Sequence, residues 1–307
     1  MSAEEIGFIG LGRMGKNMVS RMLASKKITV HAWDRSDEVV EELEQKGAIG
    51  ATSVEDLVEQ LRGRPKVLWM MLPAGEATEV TFQALLGLLE KDDIIIDGAN
   101  SNWRESVRRH EAASLKGIDT LDVGVSGGIV AADTGYPMMI GGDEKIYKHC
   151  LPIFESFGIP GGFDLVGDHG SGHYVKMVHN AIEYGMMQAM SEGFDLLKNG
   201  SKKDLDLKKI SRIWNEGTVI SSFLMKMIMQ AIEKNEKLDN ISPWVDDSGE
   251  GKWSVSDAVA NNVPFVANTY ALNARFQSRD KDSYALKLLA AMRNEFGGHR
   301  IKESPGK

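Results

Sequence analysis

Chemically different polar side chains recur at helical spacing between residues 172 and 188. A solvated helix face more often repeats Lys and Glu pairs, whereas this stretch combines an amine, an imidazole, an amide, a carboxyl and a phenol. At about 1.5 Å of rise per residue, Lys176 and Glu183 are about 10 Å apart along the axis, so both side chains could converge on one small substrate. The pattern predicts acid–base chemistry, with a solvated surface face as the alternative. The residues that share this face, at i, i+3, i+4, i+7 and i+8, are Lys176, His179, Asn180, Glu183 and Tyr184.

A glycine-rich turn directly follows the first predicted strand and opens a predicted helix. It reads G-x-G-x-x-G, in the context that dinucleotide binding requires. Gly10 permits the tight turn, Gly12 lets the backbone approach a pyrophosphate, and Gly15 lets helix and strand pack closely. The free N–H groups of the helix N-terminus favour phosphate. A glycine turn without a ligand is the alternative. The predicted cofactor-binding residues of this turn are Gly10, Leu11, Gly12, Arg13, Met14 and Gly15.

Asp34 ends the second predicted strand, 19 positions beyond Gly15. A carboxylate there can accept hydrogen bonds from ribose hydroxyls and would repel a 2′-phosphate, which favours NAD over NADP. Arg35 argues the other way, because an arginine can pair with a 2′-phosphate. The sequence therefore predicts NAD as cofactor, with NADP as the alternative. A turn residue that caps the next helix is the alternative interpretation of Asp34.

Two further turns follow predicted strands, at the sheet edge where open α/β sheets bind ligands. Asn100 lies in Asp-Gly-Ala-Asn-Ser, residues 97–101, and could orient a hydroxyl or the nicotinamide. Ser126, Gly127 and Gly128 could hold a carboxylate. Ordinary turns remain the alternative for both, since Asn and Gly are common turn residues.

Basic residues far along the chain could bind a phosphate. Residues 249–253 resemble a phosphate loop only superficially, because Trp253 replaces the required Ser or Thr. Each side chain could add a charge-assisted bond, although a solvated charge is the simpler interpretation. These residues are Lys252, Arg275, Arg293 and His299.

Alternating strand and helix patterns must position these groups. The predicted strands are 5–10, 28–33, 67–72, 94–97 and 120–123, and predicted helices include 14–23, 77–89 and 104–115. Such alternation predicts a parallel sheet covered on both faces. Later patterns are helical, at 171–198, 205–214, 220–233 and 284–296. The sequence predicts an α/β Rossmann-type domain with a doubly wound parallel sheet, residues 1–167, then an all-α substrate and dimerisation domain, residues 168–307. The boundary is expected in the glycine-rich stretch 158–172.

Composition excludes several classes. The 36 Lys and Arg stand against 44 Asp and Glu, a net charge of −8, which argues against a nucleic-acid partner. No apolar run approaches the roughly 20 residues of a membrane span, and the acidic N-terminus lacks a signal-peptide pattern. The single cysteine, Cys150, rules out an internal disulfide framework and a multi-cysteine metal site. A cytoplasmic protein without a metal is expected.

These motifs resemble those of decarboxylating 6-phosphogluconate dehydrogenases, in the short, NAD-preferring form. The 172–188 segment is the most specific, since related hydroxyacid dehydrogenases share its lysine and asparagine but not the whole string. Two departures stand out: the chain lacks one copy of a duplicated helical half, and residues 34–36 read Asp-Arg-Ser where NADP-using members carry an Asn-Arg-Thr type. The matching segments are GLGRMGKNM at 10–18, DGANS at 97–101, GVSGG at 124–128, GHYVKMVHNAIEYGMMQ at 172–188, GKW at 251–253, ARFQSR at 274–279 and RNEFGGH at 293–299.

The resemblance implies a role for each matching residue. Lys176 is the general base for the 3-hydroxyl, and Glu183 is the acid that protonates C1 after decarboxylation. Asn100 matches a residue between substrate and nicotinamide. Contacts to the substrate carboxylate and hydroxyls are implied for Ser126, Gly127, Gly128, His179 and Asn180. A phosphate cluster is implied for Tyr184, Lys252, Arg275, Arg293 and His299, the last two from the partner subunit of a homodimer or higher homo-oligomer.

Two other functions remain open. A β-hydroxyacid dehydrogenase for an unphosphorylated substrate, such as 3-hydroxyisobutyrate, shares the glycine turn, the Ser-Gly-Gly turn and the lysine. It needs neither the phosphate cluster nor an acid at Glu183. A non-catalytic dinucleotide sensor needs the glycine turn and Asp34 but not the polar helix face. The choice between the pentose phosphate route and gluconate utilization is open too.

Overall fold

Short apolar runs form one sheet in the first part of the chain. The computed structural model describes residues 4–302, apart from the side chain of Phe296. The strand order is β3-β2-β1-β4-β5-β6-β7-β8, and every neighbouring pair is parallel except β6 with β7. The first six strands have the 3-2-1-4-5-6 order of dinucleotide-binding folds. The strands are β1 (Glu5–Ile9), β2 (Thr29–Trp33), β3 (Ile49–Gly50), β4 (Val67–Met70), β5 (Ile94–Asp97), β6 (Asp119–Val125), β7 (Tyr136–Gly142) and β8 (Gly158–Gly167).

Helices connect the strands and then continue alone. From residue 168 to 302 the described chain contains helices and no strand. The predicted fold class, a doubly wound sheet followed by an all-α region, is confirmed. The helices are α1 (Arg13–Ser25), α2 (Asp37–Glu44), α3 (Val54–Gln60), α4 (Glu76–Leu88), α5 (Trp103–Ser114), α6 (Ala131–Thr134), α7 (Glu144–Phe157), α8 (Ser171–Asn199), α9 (Leu207–Asn215), α10 (Phe223–Lys234), α11 (Glu250–Ala260), α12 (Val266–Arg279) and α13 (Tyr284–Gly297).

The sheet is buried on both faces because successive side chains of a strand point to opposite sides. Phe8 and Trp69 belong to the core on one face, where their rings stack with centroids 5.9 Å apart. Their neighbours Ile9 and Leu68 belong to the core on the other face. All four side chains are fully buried. This explains why β1 and β4 read as continuous apolar runs.

The glycine-rich stretch expected to hold the domain boundary is largely strand. Residues 158–167 form β8, which pairs with β7 through an irregular register. Their glycines and exposed positions lack the apolar pattern of a buried strand, so periodicity did not identify it. The sequence analysis also did not predict β7, or β3, which has only two residues.

The chain divides into two compact units, Met1–Asn180 and Ala181–Lys307, with α8 running from the first into the second. The boundary predicted between residues 167 and 168 stays a prediction. Among residues 4–302, no helix has both the length and the apolar character that crossing a membrane demands.

Candidate active site

The glycine turn between β1 and α1 has the geometry of a dinucleotide cradle. Gly10 adopts a φ of +95°, which side chains other than glycine rarely adopt. A Cβ on Gly15 would clash with the carbonyl oxygen of Gly10, so the helix can start this close to the strand only with glycine there. Around Gly12, by contrast, an added Cβ would meet nothing within 4 Å. The open backbone at Gly12 fits a bound pyrophosphate.

Asp34 directly follows β2 and reaches back to this cradle. Its Oδ2 accepts a hydrogen bond from the Leu11 amide at 2.6 Å, and its Oδ1 accepts one from the Ser36 amide at 3.0 Å. The carboxylate therefore lies beside the glycine turn, where the predicted ribose contact requires it. Arg35 is exposed next to it. The glycine turn and Asp34 together form a site whose residues fit a nicotinamide dinucleotide.

Asn100 joins the two strand-end turns that the sequence marked separately. Its backbone is left-handed, with a φ of +51°. Its Oδ1 accepts a hydrogen bond from the Val125 amide at 3.0 Å, and its Nδ2 donates one to the Val125 carbonyl at 3.3 Å. Because Val125 immediately precedes Ser126, the Asn100 amide fastens the turn after β5 to the turn after β6.

The Ser-Gly-Gly turn is shaped by its backbone. The Ser126 amide donates to the Pro137 carbonyl at 2.9 Å. Gly127 and Gly128 both have positive φ, +94° and +56°, so both need glycine's conformational freedom. This bend follows the end of β6 and leads into α6.

The start of α8 is anchored on the sheet by a buried carboxylate that the sequence analysis missed. Asp122 on β6 accepts hydrogen bonds from the amides of Gly170 and His173, at 2.7 and 2.8 Å. These amides would otherwise be unsatisfied at the helix N-terminus, and a carboxylate there also suits the helix dipole. An aspartate in the middle of an otherwise apolar strand, 121–125, was the signal available in the sequence.

Lys176 follows one turn later and is buried, with 5% of its surface exposed. A Cβ on Gly124 would clash with the Cβ of Lys176, so α8 lies directly on the end of β6. The Lys176 Nζ is 3.5 Å from His179 Nδ1, which in turn is 3.0 Å from Asn180 Oδ1. A buried lysine within a histidine and amide cluster contradicts the alternative of a solvated helix face.

In the second unit, Tyr184 and Arg275 form one cluster. The Arg275 guanidinium lies 3.6 Å from the centre of the Tyr184 ring and donates to the Asp246 carbonyl at 2.7 Å. The Tyr184 hydroxyl accepts a hydrogen bond from the Ser248 amide at 3.2 Å. Tyr184 is buried, and a Cβ on Gly251 would press against its ring. The fold thus brings together two residues of the phosphate cluster that the resemblance implies, and their role as phosphate ligands stays a prediction.

Lys252 lies in the first turn of α11, beside an acidic partner that the sequence analysis did not identify. Its Nζ is 3.1 Å from Asp247 Oδ1, and Arg279 Nη2 is 2.8 Å from Asp247 Oδ2. Burial alone would raise the pKa of Asp247, but the hydrogen bonds from Arg279 and Lys252 outweigh it and lower that pKa. Two cations thus share one buried carboxylate, and Arg279 also pairs with the exposed carboxylate of Asp246, whose Oδ1 lies 3.0 Å from Arg279 Nη1.

Family models cover most of the chain. Residues 5–167 match the NAD binding domain of 6-phosphogluconate dehydrogenase, and residues 172–287 match the 6-phosphogluconate dehydrogenase C-terminal domain. A relative from Haloferax volcanii named "6-phosphogluconate dehydrogenase, NAD(+)-dependent, decarboxylating" is 41% identical over 299 residues, 97% of this chain and 98% of the relative. The chain belongs to the 6-phosphogluconate dehydrogenase family.

Solved structures agree with this family assignment. The 6-phosphogluconate dehydrogenase of Plasmodium falciparum, solved in its apo form and with its cofactor NADP+ or its substrate 6-phosphogluconate, has a TM-score of 0.82 at 31% identity, covering 99% of this chain and 67% of that one. A Mycobacterium tuberculosis 3-hydroxyisobutyrate dehydrogenase has a TM-score of 0.72 at 20% identity, over 91% of this chain and 94% of that one. The second likeness shows the fold alone. The predicted family membership is confirmed, and the chain is an NAD(P)-dependent dehydrogenase of this family.

The remaining site residues predicted for a 6-phosphogluconate dehydrogenase lie in the second unit. Glu183 is half-buried on α8, Arg293 is exposed on α13, and His299 is exposed beyond the end of that helix. Their roles stay predictions. Across residues 4–302, no group of three or more His, Cys, Asp or Glu side chains is placed to hold a metal ion.

Proposed function

We propose that this member of the 6-phosphogluconate dehydrogenase family converts 6-phospho-D-gluconate and NAD to D-ribulose 5-phosphate, CO₂ and NADH. The observation that carries the proposal is the buried Lys176, held against Gly124 and 3.5 Å from His179. A lysine removed from water and placed beside a ligand turn is suited to accept a proton from a substrate hydroxyl. The family membership supplies the substrate class.

Lys176 is proposed to act in both the oxidation at C3 and the decarboxylation that follows. It takes the proton of the 3-hydroxyl as the hydride leaves C3, and the protonated amine then polarises the new 3-ketone while the carboxylate departs as CO₂. The Lys176 ammonium gives its proton to the ketone oxygen as the enediol forms. Glu183 then donates a proton to C1 of the enediol while Lys176 takes the hydroxyl proton back. The ketone serves as the electron sink, so these residues suffice for the decarboxylation. Positioned proton transfer contributes about 10²–10⁴-fold. Bound NAD supplies the acceptor for the hydride.

The cofactor choice is proposed to favour NAD. The Asp34 carboxylate next to Leu11 would accept bonds from the ribose hydroxyls and repel a 2′-phosphate. The exposed Arg35 leaves some use of NADP open to measurement. The cradle residues that would hold the dinucleotide are Gly10, Leu11, Gly12, Arg13, Met14 and Gly15.

The substrate is proposed to be held at its two ends by different groups. Carboxylate and hydroxyl contacts are assigned to Asn100, Ser126, Gly127, Gly128, His179 and Asn180. The phosphate is assigned to Tyr184, Lys252 and Arg275, completed by Arg293 and His299 of a second copy. Since Arg275 already stacks on Tyr184, its guanidinium is oriented before a phosphate binds, which reduces the ordering cost of binding.

A homodimer is proposed because α13 is apolar on several sides and exposed. Helices of this kind mark interaction surfaces. Arg293 lies on the same helix. Pairing of two copies through α13 would therefore bring Arg293 of each copy to the substrate site of the other. A cytoplasmic location is part of the same proposal. The exposed fractions along α13 are Tyr284 78%, Leu286 68%, Leu288 46%, Leu289 50% and Met292 48%.

One assay on purified protein tests the proposed reaction. The enzyme receives 6-phosphogluconate with NAD or with NADP, and reduced cofactor and CO₂ are followed together. Equal yields of both products, formed faster with NAD, support the proposal. Reduced cofactor without CO₂, or activity only on unphosphorylated hydroxyacids such as 3-hydroxyisobutyrate, would contradict it.

A variant tests the base. Lys176→Met should abolish turnover and leave the Kd for NAD within about twofold, since the cradle does not involve this side chain. Lys198→Met, on the exposed last turn of the same helix, is the matched control and should keep wild-type turnover. Near-normal turnover of Lys176→Met would overturn the assignment of the base.

A further inference from the structure

Arg109 is a buried cation that the proposed mechanism does not use. It lies on α5 with only 4% of its surface exposed. Its Nη1 donates to Asp97 Oδ2 at 2.8 Å and to Ser101 Oγ at 3.2 Å, and its Nε donates to Glu79 Oε2 at 3.2 Å. A buried charge is retained only when it is paired and hydrogen-bonded. Arg109 thus donates hydrogen bonds to three residues, and two of these, Asp97 and Ser101, belong to the turn after β5.

That turn is the one that carries Asn100. Asp97 Oδ1 accepts a hydrogen bond from the Ala99 amide at 3.0 Å, which closes the turn on itself. Asn100 follows with its left-handed φ of +51°, a conformation that costs a non-glycine residue free energy unless its surroundings hold it. Arg109 binds the residue at each end of the turn, Asp97 and Ser101, and so braces the strained position between them.

The brace extends to the neighbouring turn. The Asn100 side chain is bonded to both the amide and the carbonyl of Val125, and Ser126 comes next. A displacement of the 97–101 turn would therefore displace the Ser-Gly-Gly turn as well. Hydrogen bonds of 3.3 Å or less thus connect Arg109 to the turn after β5, and Asn100 of that turn to the turn after β6.

We propose that Arg109 is a positioning residue, which holds Asn100 and the Ser126 turn in the arrangement needed for hydride transfer from the substrate. This inference rests on the proposed function of those two turns. A misplacement of about 1 Å at reacting groups can cost about 10²-fold in rate. Arg109 acts at a distance from the reacting atoms, through Asp97, Ser101 and Asn100.

The adjacent arginine provides a matched control. Arg108 lies on the same helix and also binds Glu79, but it is exposed, and its other hydrogen-bonded partner is Glu105. Removing Arg108 therefore takes away a cation and a Glu79 contact without touching the 97–101 turn. A loss of surface charge or of helix stability should affect both arginine variants, whereas misplacement of Asn100 should affect only Arg109 variants.

The experiment compares Arg109→Gln, Arg109→Lys and Arg108→Gln in the full-length enzyme. Measured quantities are kcat, KM for 6-phosphogluconate, Kd for NAD, the kinetic isotope effect with substrate deuterated at C3, and Tm. Arg109→Gln should lower kcat about 10- to 100-fold, enlarge the isotope effect and leave Kd for NAD within about twofold. Arg109→Lys should recover part of kcat, because an ammonium can still pair with Asp97. Arg108→Gln should keep wild-type kcat and isotope effect.

Amide hydrogen exchange on the same proteins needs no substrate. Residues 97–101 and 124–128 should exchange faster in Arg109→Gln, and at the wild-type rate in Arg108→Gln. Unchanged kinetics and unchanged exchange in Arg109→Gln, or equal losses in both arginine variants, would overturn the proposal. A wild-type enzyme inactive on 6-phosphogluconate would overturn the proposed function instead, and the exchange data would still decide whether Arg109 braces both turns. If Arg109→Gln does not fold, Arg109→Lys carries the comparison.

Discussion

Gly124 on β6 and Lys176 on α8 approach so closely that glycine's missing side chain is what admits the lysine. An added Cβ at residue 124 would clash with the Lys176 Cβ. We therefore predict that Gly124→Ala shifts α8 and lowers kcat about 10²-fold, with a smaller effect on Kd for NAD. Steady-state kinetics and a cofactor titration check this. Gly87→Ala, in open space on α4, should keep full activity and gain about 0.5–1 kcal/mol of stability. Wild-type kcat in Gly124→Ala would refute the close-contact argument.

Two glycines of the cradle should fail in different ways when changed to alanine. Gly12 has open space around it, so Gly12→Ala should keep the Tm of the ligand-free protein and raise Kd for NAD about tenfold or more. Gly15→Ala must push against the Gly10 carbonyl and should lose about 1–3 kcal/mol of stability even without cofactor. Thermal unfolding with and without NAD separates the two. Equal destabilisation by both would mean that Gly12 serves the fold.

Asp34→Asn should shift the ratio of kcat/KM for NAD to that for NADP towards NADP. The reason is that the negative charge of Asp34 repels a 2′-phosphate, and the substitution removes this repulsion. Because the Asp34 carboxylate also accepts the Leu11 amide, affinity for both cofactors should fall somewhat. Initial rates with each cofactor provide the ratio, and Asp37→Asn in the first turn of α2 is the control. An unchanged ratio would indicate that Arg35 or another residue makes the choice.

The stacked rings of His110 and His169, with centroids 3.3 Å apart, predict a stability that depends on pH. Burial lowers the pKa of His110 and the nearby His169 lowers it further, while Glu111 and Asp122 act in the opposite direction. The unfolded chain, with a histidine pKa of about 6.5, then binds more protons than the folded one. The free energy of unfolding should therefore fall as the pH drops below about 6.5.

Denaturant unfolding at several pH values measures this dependence. His169→Asn removes the neighbouring imidazole that lowers the pKa of His110, so the slope of stability against pH should become flatter below pH 6.5. His299→Asn, in the second unit, should leave the slope as in the wild type. A wild-type slope in His169→Asn would show that the histidine pair is not responsible.

Replacing an apolar residue of α13 by a charge should separate the proposed dimer. Leu289→Arg places a cation on the exposed apolar surface, so the chain should sediment as a monomer. KM for 6-phosphogluconate should rise, because Arg293 and His299 of the second copy would be missing. Leu115→Arg, at a leucine next to α5 that is even more exposed than Leu289, should stay dimeric. A wild-type chain that is monomeric at assay concentration would contradict the proposal directly.

Local patterns were sufficient for part of this site. The glycine turn at 10–15 is a strand, a bend and a helix start within a few residues, so its conformation follows from nearby chemistry. The face that carries Lys176, His179 and Asn180 follows from helical periodicity alone. The glycine-rich β8 was missed because an edge strand with exposed positions lacks the apolar run by which β1 and β4 were found.

Other residues had no local signal because their roles depend on distant partners. Asp122 caps α8 across 48 and 51 positions of chain, and Asp247 joins Arg279 from 32 positions away. In the sequence, Arg109 is one of several charged residues on the same helix, and nothing in the local pattern marks it as buried. Its burial and its hydrogen bonds to Asp97 and Ser101 set it apart from Arg108.

The sequence by itself determined the class of fold, the glycine turn, the polar helix face proposed to be catalytic and the family, since each depends on residue types at short spacing. The tertiary structure decided which of those groups meet: Asn100 with Val125, Gly124 with Lys176, and Tyr184 with Arg275. The physical reason is that hydrogen bonds and steric exclusion act over a few ångströms in space, whatever the distance along the chain.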